Sequence, residues 1–272
     1  MFRSHPKNGE GGRPVTYFLL LLLAHGVADF ILQTDAVSAA KCKNQWQGYV
    51  RHGLAVFLCT LGALHFYGWL SALKGAALVS IAHLALDVLK NLGRSAGARL
   101  LGKPSRPGVF GLLLDQVLHI FILLWTWHLL DRPVDTSVTG FYAAVLTPVQ
   151  PFLPSGMEQA VLVLAICVLT AFGGAVLVRL SLDKLFPDGE GLRGATAAGK
   201  YIGILERLLI IILAATDTVS AIGFVFTAKS IARFNEISEN RAFAEYYLVG
   251  TLISFFLALV AGMALGQYLN AV

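Results

Sequence analysis

Three residue pairs pose the chemical question: His25 with Asp29, His83 with Asp87, and Asp115 with His119, each four positions apart. On a helix that spacing puts both side chains on one face, one turn above the other. Gln33 lies a turn beyond Asp29, Lys90 continues the stripe of His83 and Asp87, Gln116 adjoins Asp115, and His52 opens a further apolar segment. Imidazole nitrogen and carboxylate oxygen together suit zinc, manganese or iron, as one ion or as a dinuclear centre bridged by aspartates. Such an ion makes a water nucleophilic, which is hydrolytic chemistry. His25, Asp29, His83, Asp87, Asp115 and His119 are therefore the candidate ligands. His52 is a ligand or general base, and Lys90, with Arg94 nearby, could neutralise an anionic phosphate. Two other readings use the same residues. One is a proton or ion relay in a small carrier. The other is a buried polar network that locks the helices of a non-catalytic scaffold.

The elements that must hold these groups are membrane helices. The 272 residues are 56% hydrophobic and only 14% charged, where a soluble domain is nearer a quarter charged. That argues against a soluble enzyme, a disordered tail or a nucleic-acid-binding module, and no nucleic-acid partner is expected. The net charge of +5 is read as basic loops on the cytoplasmic side of a cell membrane. Apolar runs long enough to span predict helices over 15–33, 50–70, 72–92, 109–130, 157–182 and 244–268. The run 199–234 would be about 54 Å long as one helix, too long for a hydrocarbon core of about 30 Å. A break at Thr216-Asp217-Thr218 would make two short spans of it. The expectation is an all-α, polytopic membrane helix bundle of about eight spans, or seven if that break does not cross. The parts are a basic tail (1–14), a four-helix domain with the His/Asp cluster (15–130), a proline-bearing loop (131–156) and C-terminal membrane helices (157–272).

Arg3, Lys7 and Arg13 ahead of the apolar run 17–24 resemble a signal peptide, but His25 and Asp29 and the spans that follow argue for a retained helix. Lys90, Arg94, Arg99, Lys103 and Arg106 lie together without an acid, and Lys41, Lys43 and Arg51 face only Asp35. Both groups join spans on one side, which the positive-inside rule makes cytoplasmic. The basic tail conflicts with this orientation. The ends of odd spans and the starts of even spans share that side. His25, Asp29, His52, His83, Asp87, Asp115 and His119 then all fall in the cytoplasmic half of the bilayer. Glu206, Arg207, Lys229, Arg233 and Glu245 reach the same side, as snorkelling ends with one ion pair or as a head-group contact beside the site. His65 and His128 lie toward the opposite face, and Asp217 there marks a turn. Cys42, Cys59 and Cys167 form no ligand pattern or disulfide framework. No P-loop, GxSxG or HExxH is present.

The segments LLLAHGVADFILQTD (21–35) with Lys41, RHGL (51–54), HLALDVLK (83–90) and LLLDQVLH (112–119) resemble an uncharacterised bacterial membrane family, the domain of unknown function numbered 3307. GKYIGILERLL (199–209), AIGFVFTAKSIARF (221–234) and AEYYLVGTLISF (244–255) look like the region that often follows it. The resemblance implies an integral membrane protein and draws attention to His25, Asp29, Gln33, His52, His83, Asp87, Asp115, Gln116 and His119. It implies no reaction. A looser similarity links the helical His/Asp pairs to membrane-bound metal-dependent hydrolases, by analogy alone.

Overall fold

A computed structural model describes residues 15–101, 108–130, 135, 140, 157–187 and 198–271, all of the regular structure being helical. The tail 1–14, nearly all of the 131–156 loop, Lys103 and Arg106 lie outside the described residues. The first helix, α1, is α-helical over Val15–Gly26 and continues as a π-helical segment, Val27–Leu32. A short helix α2 (Asp35–Cys42) follows, then α3 (Trp46–Leu64), α4 (Trp69–Leu101) and α5 (Val109–Leu130). In the C-terminal half, α6 (Met157–Leu185) has a π-helical segment at Leu169–Gly173. It is followed by α7 (Ala198–Ala215), α8 (Ile222–Ala232), α9 (Phe234–Glu239) and α10 (Arg241–Ala271).

Six of these, α1, α3, α4, α5, α6 and α10, are long and apolar enough to cross a membrane. They leave large side chains such as Phe110, Phe121 and Phe256 exposed, a surface that suits lipid rather than water. The chain is a multi-pass membrane protein. The expected break is present: α7 ends at Ala215 and Asp217 takes a left-handed backbone, φ 56°. The amide of Thr218 caps α7 by donating to the Leu213 carbonyl at 2.8 Å. Helix α4 runs past the expected end near residue 92, so Arg94 and Arg99 are helical rather than loop residues.

Two apolar cores hold the bundle. Tyr17, Leu21, Val56, Leu64, Val79 and Leu123 join α1, α3, α4 and α5. Ile210, Ile211, Ile222, Ala258 and Leu265 join α7, α8 and α10. Helices α7 and α10 approach to backbone contact: a Cβ on Gly262 would lie 2.8 Å from the Ile211 carbonyl oxygen, and one on Gly266 2.8 Å from that of Ala215. Small residues four apart allow this approach, which replaces the missing hydrophobic drive between helices in lipid with van der Waals contact.

Helix α2 had no counterpart among the expected spans. Its start is conventional: the Thr34 hydroxyl accepts from the Val37 amide at 3.4 Å, with Asp35 in the first turn. It folds back on α3 at Gly48, where a Cβ would lie 2.8 Å from the Lys41 backbone nitrogen. This close crossing turns Lys41 into the bundle.

Candidate metal centre and the chamber beside it

Four imidazoles from four helices meet inside the N-terminal half. His25, His52, His83 and His119 are each no more than 2% exposed. Ring centroids lie 4.0 Å apart for His83 and His119, 4.9 Å for His52 and His83, 5.2 Å for His25 and His119, and 5.4 Å for His25 and His83. Asp29 reaches into this group from the π-helical end of α1. Its Oδ1 is 3.4 Å from Nε2 of both His52 and His83, and 3.7 Å from His25 Nδ1. The two Nε2 atoms are themselves 2.8 Å apart.

A second layer holds the other carboxylates. Lys41 Nζ donates to Asp87 Oδ2 and to Gln33 Oε1, both at 2.6 Å. Lys90 Nζ donates to Asp87 Oδ1 at 2.8 Å and to Asp115 Oδ1 at 2.7 Å. The result is an alternating row, Lys41–Asp87–Lys90–Asp115, in which Asp87 is fully engaged. Asn91 extends it, donating to the Lys41 carbonyl and to the Tyr49 hydroxyl.

Hydrogen bonds fix what the imidazoles can do. His119 Nδ1 lies 2.8 Å from the Asp115 backbone carbonyl. A carbonyl only accepts, so Nδ1 carries the hydrogen and Nε2 keeps a lone pair. That Nε2 is buried without a partner, as is Asp29 Oδ1; His25 Nε2 lies 3.2 Å from the acceptor Gln116 Oε1, which leaves the lone pair on its buried Nδ1 likewise unpartnered. Buried acceptors without donors are costly, and their convergence calls for a cation or extra protons.

The donor spacing fits a cation. Around an ion with bonds of about 2.1 Å, two ligand atoms are about 3.0 Å apart at a right angle and about 3.4 Å apart at the tetrahedral angle. Asp29 Oδ1, His52 Nε2 and His83 Nε2 form a triangle with edges of 2.8, 3.4 and 3.4 Å. Overlapping sets, His25/Asp29/His83, His52/His83/Asp87 and Asp87/Asp115/His119, each bring donors within 4.8 Å of one another.

Beside the cluster is a chamber of about 1260 Å³. Asp29, Asp87, Asp115, Lys41, Lys90, Gln33 and Gln116 line it, while the four histidines lie behind them. His52 is not among the residues that line the chamber. The opposite wall comes from the C-terminal half, including Glu206, Arg207 and Lys229. Glu206 pairs with Lys229 at 2.6 Å. His65 is elsewhere, at the far end of α3 against Phe66 and Trp69.

Residues 17–147 match the model of a family described as a protein of unknown function, DUF3307. That segment, just under half of the chain, is similar to the DUF3307 family. No curated protein and no solved structure matches the chain. Every candidate ligand lies within the DUF3307 segment, whereas Glu206 and Arg207 lie beyond it. Lys41 is the site residue that charge counting misplaced. Counting charges between spans puts it in a loop, yet it is 5% exposed and bound to Asp87. The capping pair Thr34-Asp35 was the local sign of the helix that carries it.

Proposed function

We propose that the DUF3307-like segment holds a divalent metal ion, zinc, manganese or iron, and uses it to hydrolyse a membrane-proximal, phosphate-containing substrate. The observation that carries this reading is the triangle of Asp29 Oδ1, His52 Nε2 and His83 Nε2, buried beside unpartnered lone pairs on His25 and His119. An ion there supplies Lewis acidity toward a phosphoryl oxygen and toward water. The chain's own groups do the rest. Asp29, Asp87 and Asp115 face the chamber, Lys41 and Lys90 hold Asp87 in place, and Lys90, shared between Asp87 and Asp115, would give up one of them to neutralise an anionic phosphate. In hydrolysis water adds to phosphorus and the ester oxygen leaves, and a carboxylate facing the chamber, such as Asp115, can take the proton from water and pass it to the leaving oxygen. The test is phosphate release from phosphatidic acid by the purified chain with zinc, manganese or iron supplied in turn. Release that His83→Ala abolishes supports the reading, and silence with every ion counts against catalysis.

One observation favours a different class. The alternating row Lys41–Asp87–Lys90–Asp115 along the chamber wall is the kind of arrangement through which an ion-coupled carrier passes charge. Uptake into proteoliposomes without hydrolysis would select the carrier, and silence in both assays would leave a scaffold.

We place the chain in the cell membrane with the cluster on the cytoplasmic side. Arg94 and Arg99, on the end of α4 beyond Asp87 and Lys90, support that orientation. Cysteine labelling at position 99 should then occur from the cytoplasmic side alone.

A further inference from the structure

Arg207 lines the chamber wall that the C-terminal half contributes. The guanidinium is 3% exposed. Its Nε and Nη2 donate to the Ala171 carbonyl at 3.0 and 2.7 Å, and Nη1 donates to the Ser254 hydroxyl at 2.9 Å. Ala171 belongs to the π-helical segment of α6, where the wider turn releases a carbonyl from the helix ladder. Gly174 and Gly203 leave room for the side chain, since a Cβ at either would lie 3.3 Å from it.

These contacts position the guanidinium without neutralising it. Its sequence neighbour Glu206 is taken by Lys229, and among the described residues no carboxylate forms an ion pair with Arg207. Arg94 and Lys200 line the same chamber, likewise without a carboxylate partner among the described residues, and Arg94 donates only to Cys42 Sγ. A buried charge held by neutral acceptors is stabilised when an anion arrives, and a guanidinium fork suits phosphate oxygens. Much of the remaining wall is apolar, including Phe30, Phe172, Val176, Leu209 and Phe224. About 1260 Å³ exceeds what a free phosphate needs.

We infer that the C-terminal half provides a head-group site: Arg207, with Arg94 and Lys200, binds the phosphate of an anionic amphiphile whose apolar chains occupy the rest of the chamber. As the substrate site of the metal centre this rests on the preceding reading; as a binding site it does not. One cavity would then present a phosphate to the carboxylate wall opposite.

The test measures binding of dioleoyl phosphatidic acid to the full chain in detergent with a chelator present, so that a missing metal cannot mask the result. Phosphatidylcholine with the same chains is the neutral control, and inorganic phosphate is the competitor. Phosphatidic acid should bind about tenfold or more tightly than phosphatidylcholine. Arg207→Gln should remove most of that preference and Arg207→Lys part of it. Arg94→Gln and Lys200→Gln, which disturb no buried contact, should each weaken it severalfold, whereas Arg99→Gln outside the chamber should not. Equal binding of the two lipids would overturn the proposal, as would Arg94→Gln and Lys200→Gln without effect. Displacement by inorganic phosphate at the lipid's own concentration would show that the chains contribute nothing and would end the amphiphile assignment.

Discussion

His52 and His83, 31 positions apart on neighbouring helices, set their Nε2 atoms 2.8 Å from each other. Without an ion, one nitrogen must carry the proton that the other accepts. With an ion, both direct a lone pair at it. Asp29 Oδ1, 3.4 Å from each, favours either arrangement through its negative charge.

The two histidines should therefore act as a unit. His52→Ala and His83→Ala should each abolish stabilisation by added zinc or manganese, and the double variant should lose no more than either alone. In the wild type an ion at a hundred times its Kd adds about 2.7 kcal/mol, visible as a rise in the unfolding temperature. Additive losses in the two single variants would mean that the nitrogens serve separate partners.

Removing Lys41 should be costly. Lys41→Met takes away the donor to Asp87 Oδ2 and to Gln33, leaving a buried carboxylate short of charge. Breaking one partner of a buried pair costs about 3–5 kcal/mol. Adding Asp87→Asn should restore much of that stability while leaving any metal function impaired. Unfolding in detergent measures both. A harmless Lys41→Met would show that Lys90 alone suffices for Asp87.

The α7–α10 contact makes a separate prediction. Gly266→Leu places a side chain against the Ala215 carbonyl, where even a Cβ has only 2.8 Å. The helices must part, at a cost of about 1–3 kcal/mol or more, and the chamber wall formed by α7 should be displaced. Amide exchange should rise in α7 and α10 and remain low around His83. An unchanged exchange pattern would mean that these helices are held elsewhere.

The cluster was legible because helical periodicity is a local property. Pairs four apart fixed the faces of Asp29, Asp87 and Asp115, and the alternation of span direction placed them at one depth. The coordinates bring them together. Lys41 was not legible, because its burial depends on α2 folding back at Gly48, a tertiary contact. Nor were the π-helical segments at Asp29 and Ala171, which reflect packing rather than composition. The break at Asp217 was readable from the excessive length of the apolar run. The shared chamber was not, because charges counted to one side of a membrane do not reveal that Arg207 and Asp87 line one cavity.

Elemental analysis of the full chain purified in detergent after exposure to zinc, manganese and iron salts bears most directly on the metal centre. About one or two divalent ions per chain are expected. The Asp29→Ala/His83→Ala double variant should retain its helix content and bind none. Wild-type protein that folds normally and holds no ion under any of these conditions would contradict the account.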